Sequence, residues 1–417
     1  IAAVTLMHLG HTDLVWPLLR FSPDPSFRSM LIFYFWKLQA DPVTIANQLI
    51  VETDTSARRA LIQILAGSEL GLLPGSERER IEGYLRDLYV NDPDPGIHGS
   101  ASLALRRWGV DLPDLMKVTR ALANEQPVAV DRDPLVDPPP GDLGVQSQDN
   151  DREQFVASRD TKRRWYVNRE GQTMIILDPS ESDSSSVRHR FAICDHEVTV
   201  AEFLRFRDDH SYARVTAPTN DCPAAFVDHY ATAAYCNWLS RRDGIHSNQW
   251  VYEPNDYGAF AAGMRIKENS KSLAGYRLPT GPEWEYACRA GTKGSYSVGE
   301  PESLLPQYAN TGRENLVRSE PVASRLPNDF GLFNMHGNVW EKVEDPISGR
   351  RSPVRDDILR QLRGGSFATR DSVRSHSFHS IEPKDRRDHI GFRPVVSIPS
   401  EQSSKPSPIT RNAPPEE

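Results

Sequence analysis

Residues 126–160 decide how this chain divides. They carry Pro138-Pro139-Pro140-Gly141 and the polar run Gln146–Gln154, with no periodic apolar content. Consecutive prolines lack the N–H that a helix or a sheet ladder needs. So polar a run also buries too little apolar surface to offset the entropy of ordering it. The segment reads as a linker. At 417 residues the chain exceeds one typical domain, so a folded unit is expected on each side. Residues 399–417, rich in Pro, Ser and charge, read as a disordered tail.

Residues 1–125 have a helical pattern. Asp24, Asp54 and Asp94 each stand just ahead of an apolar helical run, in Pro-Asp-Pro-Ser, Thr-Asp-Thr-Ser and Pro-Asp-Pro-Gly contexts. This is how N-cap residues look, so capping is their expected role rather than acid catalysis, and His98 is read as structural. The spacing resembles a degenerate HEAT-like array of stacked helix pairs, which offers a surface for protein partners. Such a unit is expected to be joined flexibly to the domain beyond the linker.

Composition removes several functions. A net charge of -8 with no long Lys/Arg run gives no electrostatic support for nucleic-acid or anionic-membrane binding. The most apolar stretch, Ser29–Trp36, is too short for the roughly 20 residues of a membrane helix. Four cysteines (Cys194, Cys222, Cys236 and Cys288) occur and none is in a CxxC pair, so a cytoplasmic, reducing compartment is expected over a secreted one. A chain starting at Ile1 is expected to be part of a longer protein.

Residues 161–398 are mixed. Capping boxes stand at Thr199-Val-Ala-Glu202 and Thr280-Gly-Pro-Glu283, and a third helix is read from Asp228 to about Arg241. Between them lie short strands and loops punctuated by Gly, Pro and Asn. An ordered set of segments crosses this region. Phe191–Thr199 (FAICDHEVT) comes first, followed by Ala233–Ser240 (AAYCNWLS), Tyr276–Thr280 (YRLPT) and Glu283–Gly291 (EWEYACRAG). The set closes with Gly331–Glu341 (GLFNMHGNVWE), Leu362–Phe367 (LRGGSF) and Gly391–Arg393 (GFR). Together they resemble the formylglycine-generating enzyme, or sulfatase-modifying factor, family. That resemblance implies an α+β, C-type-lectin-like domain in which two helices flank a small antiparallel sheet with much ordered loop. The pairing with helical repeats is similar to the C-terminal part of some bacterial serine/threonine protein kinases. No HRD or Gly-rich kinase signature occurs, so a kinase domain is expected only upstream.

The resemblance also frames the chemistry. Active members hold copper(I) on two cysteines beyond the Gly-Gly-Ser motif, a soft-ligand arrangement. Carried over by position, these fall here on Thr369 and Arg374, so copper and oxidase activity are not expected. Trp340 and Ser366 match cleft positions, with Arg374 available beside them, which implies a peptide or small-molecule pocket. Lys342 replaces a second tryptophan. A structural calcium is implied on Asn334, Gly337, Val339 and Glu341, and a weaker site on Asn310 and Thr311. His376 and His379 are three apart and would face opposite sides of a strand, a poor metal pair. The leading reading is a non-catalytic ligand- or peptide-binding module of a larger bacterial signalling protein. The alternatives are an active oxidoreductase of the same family, formylglycine-generating or non-haem-iron, and a structural segment of a kinase.

Overall fold

The computed structural model describes residues 2–68, 73–110, 112–124, 163–179, 186–312, 317–369 and 373–398. The expected linker and tail lie outside them.

The first unit is built of helices α1 (Ala2–His8), α2 (Ser26–Lys37), α3 (Pro42–Val51), α4 (Thr55–Ala66), α5 (Gly75–Asn91), α6 (Pro95–Arg107) and α7 (Leu112–Asn124). Asp54 accepts from the Ala57 amide at 2.9 Å and Asp94 from Ile97 at 3.0 Å, each closing one donor that a helix start leaves unpaired. Asp24 instead bonds Ser26 at 3.0 Å one residue ahead of the cap position, and Asp41, which lies outside the repeat pattern, caps α3. Helix α6 touches α4 and α5 and is buried from Pro95 to Leu105.

In the second unit, strands β1 (Trp165–Val167), β2 (Thr173–Leu177), β3 (Phe191–Cys194), β6 (Tyr276–Arg277) and β11 (Val395–Ser397) form a five-stranded sheet in the order β1-β2-β3-β11-β6. Every pair in it is antiparallel. Alternation sorts its two faces. Met174, Ala192, Cys194 and Val396 join one core with Tyr235, Cys236 and Leu239 of α9 (His229–Arg242). Ile175, Phe191, Ile193 and Val395 join another with Trp284 and Ala287 of α10 (Gly281–Arg289). One helix thus covers each face. Both capping boxes form, at Thr199–Glu202 ahead of α8 (Val200–Phe206) and at Thr280–Glu283 ahead of α10.

The expectation of one small antiparallel sheet needs extending. Strands β7 (Trp340–Pro346), β8 (Arg360–Arg363), β9 (Phe378–Ile381) and β10 (Ile390–Gly391) make a second sheet in which β10 runs parallel to β7. A two-stranded ribbon joins β4 (Tyr252–Glu253) and β5 (Arg265–Ile266).

A flexibly tethered helical arm is not what forms. One core holds Leu61, Leu65, Ile97 and Leu103 of the helices together with Tyr296, Leu304, Leu305, Tyr308 and Phe333 of the second unit. Asp94 accepts from Arg59 at 2.8 and 2.5 Å and from Arg164 at 2.6 Å, so one helix cap also ties the two units together. Glycines let backbones meet here: a Cβ on Gly96 would lie 2.7 Å from the Asp329 carbonyl, and one on Gly99 would lie 3.1 Å from that of Gly331.

Candidate functional site

The loop from Phe333 to Trp340 ties several distant segments together. The Phe333 amide donates to the Asp195 carbonyl at 2.8 Å, Gly337 to Gly364 at 2.8 Å and Asn338 to Asn310 at 2.7 Å. The Asn338 side chain accepts from the Glu320 amide at 2.9 Å and donates to Glu197 at 3.1 Å. Asn334 and Asn338 adopt left-handed φ of 56° and 58°, which asparagine tolerates better than most residues. Gly337, at φ 79°, packs so closely on the Asn310 backbone that no side chain fits.

Beneath the loop is a buried ion network. Arg393 donates through Nε and Nη2 to the two oxygens of Glu341, both at 2.7 Å, and Trp284 Nε1 adds a third bond at 2.8 Å. The same guanidinium reaches the Phe333 and Cys194 carbonyls at 2.9 and 3.2 Å. Glu197 stands 3.9 Å from Arg393 with Oε2 unpartnered, and burial, with Glu341 nearby, pushes its carboxyl upward.

The expected pocket residues sit around β7 and the turn after β8. Trp340 is buried with Leu362, Ile381 and Ile390 and meets the His379 ring edge-on at 5.8 Å. Ser366 is fully buried, its hydroxyl 2.9 Å from that of Thr369. Arg374 is exposed and lies near the Tyr296 hydroxyl. Ser366 and Thr369 are therefore brought together, while Arg374 lies near Tyr296. His376 is exposed, and His389 bonds Asp388 at 2.9 Å.

All four cysteines are buried and unpaired. Cys194, Asp195 and His196 bring a thiol, a carboxylate and an imidazole within 4.8 Å of one another. His196 already lies between Asp195 and Glu202. Burial opposes its charge, but the two carboxylates hold its pKa up to about 10. Glu202 also closes the Thr199 capping box, so this cluster anchors the start of α8.

Comparison with known proteins decides the family. The model of the sulfatase-modifying factor enzyme 1-like domain matches residues 169–398, more than half of the chain. The chain belongs to that family. The formylglycine-generating enzyme of Mycobacterium tuberculosis is 32% identical over 273 residues, covering 52% of this chain and 91% of the enzyme. That of Streptomyces coelicolor is 35% identical over 147 residues, but the match spans only 29% of this chain and 46% of the enzyme. A bovine protein named inactive C-alpha-formylglycine-generating enzyme 2 is 31% identical over 137 residues, covering 28% of this chain and 43% of that protein.

Two metals associated with this sulfatase-modifying factor family can be tested against the side chains. Copper(I) does not fit. The hydroxyl of Thr369 and the guanidinium of Arg374 are neither soft nor thiolate, and the second carries a fixed positive charge. A hard cation in the 334–341 loop fits better. Among the described residues, neither the Gly337 nor the Val339 carbonyl accepts a hydrogen bond. Asn334 Nδ2 and Asn310 Oδ1 are buried without partners. Amide nitrogen and oxygen are interchangeable by a flip, so Asn334 can present its oxygen at the cost of the bond it accepts from the Ala323 amide at 3.3 Å. Glu341 departs from expectation, because its carboxylate is already engaged by Arg393 and Trp284. It retains roughly one free lone-pair position for a cation. Asn310 and Gly337 touch, so the stronger and weaker expected sites adjoin. Arg393 belongs to the Gly-Phe-Arg segment and Glu197 to Glu-Val-Thr, and neither motif gives its charge a role. Only their meeting in space does so.

Proposed function

We propose that this domain is a non-catalytic member of its family that binds a peptide or small-molecule ligand in the cleft beside Trp340 and Ser366. The observation that carries the reading is the Ser366–Thr369 hydroxyl pair, 2.9 Å apart, where an oxidase needs a thiolate, in a loop framework that is otherwise intact. Support comes from Arg374 at the second position and from similarity to a bovine protein whose name calls it inactive. Hydroxyl and guanidinium donors suit a ligand with polar or anionic groups. Incubation with copper, oxygen and a CxPxR-type sulfatase peptide should leave its cysteine unmodified by mass spectrometry. Turnover above a protein-free control would reject the reading. So would an unchanged ligand affinity in Trp340→Ala.

We also assign the 334–341 loop a structural calcium ion, held by the Asn334 amide oxygen, the Gly337 and Val339 carbonyls and the remaining lone pair of Glu341. Saturation at about 100 times the dissociation constant is worth about 2.7 kcal/mol of stability. Calcium should therefore raise the melting temperature and EDTA lower it, and Asn334→Ala should remove most of the difference. Asn334 is the better probe because Glu341 has a second structural duty. Identical melting curves in calcium and chelator would end the assignment.

A further inference from the structure

In the loop ahead of α9, Phe226 holds φ at 62°, in the left-handed region that strains a bulky L-residue. The backbone around it is pinned. The Phe226 amide donates to the Arg387 carbonyl at 2.9 Å, and the Ala224 amide to that of Val198 at 2.7 Å. His210 Nε2 donates to the Ala225 carbonyl between them at 3.1 Å. Glycine or asparagine would adopt this conformation with less strain. Core packing does not account for the phenylalanine. Its side chain is 47% exposed and joins none of the hydrophobic cores among the described residues.

Phe226 lines instead an open pocket of about 460 Å³, together with Tyr212, Arg386, Arg387 and Asp388. That volume is within the range of small-ligand sites. Strain held at a pocket wall points to recognition by the strained side chain. Both arginines are accessible, with side chains 50% and 60% exposed. Arg386 places Nε and Nη2 on one oxygen of Asp228, and Arg387 makes a 3.4 Å bond to Asp385. Asp388 adds a negative charge to the same wall, so charge alone selects no anion here. Two aromatic rings and two guanidinium groups do select a third ring. Its edge or face can meet Phe226 and Tyr212, and its face can meet a guanidinium. An aliphatic group of equal size gains contact area without either interaction.

The pocket adjoins the cleft. Asp388 precedes His389, whose carbonyl accepts from the Trp340 amide at 2.9 Å and whose ring meets Phe367 edge-on at 6.4 Å. Resting on the ligand-binding reading above, we propose that the ligand is a peptide that seats one aromatic side chain in this pocket. Phe226 and Tyr212 receive the ring, and the peptide main chain lies towards Trp340.

The test is isothermal titration of the full chain with capped pentapeptides Gly-Gly-X-Gly-Gly, in which X is phenylalanine, cyclohexylalanine or alanine. The phenylalanine peptide should bind about fivefold more tightly than its cyclohexyl analogue, and at least about tenfold more tightly than the alanine peptide. Phe226→Asn suits the left-handed φ, so it should fold while losing the preference for the aromatic ring. Arg387→Gln, a change at an exposed side chain, should reduce that preference and serves as the second variant if Phe226→Asn melts early. Equal affinity for the phenylalanine and cyclohexylalanine peptides would overturn the proposal, as would failure of all three to bind. An aromatic preference unchanged in a folded Phe226→Asn would overturn it too. If Trp340→Ala weakens the phenylalanine peptide and Phe226→Asn does not, the cleft reading stands and this pocket is removed from it.

Discussion

Glu341→Ala is expected to destabilise the protein by about 3–5 kcal/mol, because it strands the Arg393 guanidinium in the interior. Both residues are fully buried. Without the carboxylate, Arg393 keeps only the Phe333 and Cys194 carbonyls and a Glu197 carboxylate 3.9 Å away. Trp284 Nε1 loses its acceptor at the same time. Glu341→Gln should fall between, since an amide oxygen can still take one of these bonds but carries no charge. Urea denaturation in EDTA removes any contribution of calcium from the comparison. A loss below about 1 kcal/mol for the alanine variant would mean that Arg393 re-pairs with Glu197, and that the network does not hold the loop.

That network also marks where the sequence stops being readable. The capping boxes at Thr199 and Thr280 lie within four residues, so local hydrogen-bond chemistry announces them. The apolar alternation of β2 and β3 is local in the same way. Arg393 and Glu341 are 52 residues apart and Asn338 and Glu197 are 141 apart. Nothing in either short motif indicates the other. Glu341 could be read as a cation ligand because its type and place suit one, yet its main partners belong to the GFR segment and α10. The missing thiolates at 369 and 374 needed only the residue identities. The shared core of the two units was hidden for a related reason. Gly96 and Gly99 look like poor helix residues by propensity, and only the approach of the 329–333 backbone explains them.

Gly96→Val is expected to cost about 3 kcal/mol, at the upper end of overpacking penalties. Its side chain would meet the Asp329 carbonyl at 2.7 Å, which is backbone and cannot swing away. It would also displace Arg59, whose bonds to Asp94 help to join the helices to Arg164 of the second unit. Gly83→Val supplies the control: it too is a helical glycine, but nothing lies within 4 Å of the added Cβ, so it should change stability by under about 1 kcal/mol. The joint should loosen in acid as well. His98 lies between the rings of Tyr89 and Trp165, with centroids 4.6 and 3.7 Å away, and burial lowers its pKa to about 4. The unfolded chain, near 6.5, takes up the proton first. Stability from this residue is therefore present above pH 6.5 and is lost as pH falls from 6.5 towards 4. His98→Phe, which keeps the stack without the proton site, should flatten that part of the stability profile. If Gly96→Val melts like the control, or if His98→Phe leaves the acid limb unchanged, then the helices and the domain do not stabilise each other through this contact.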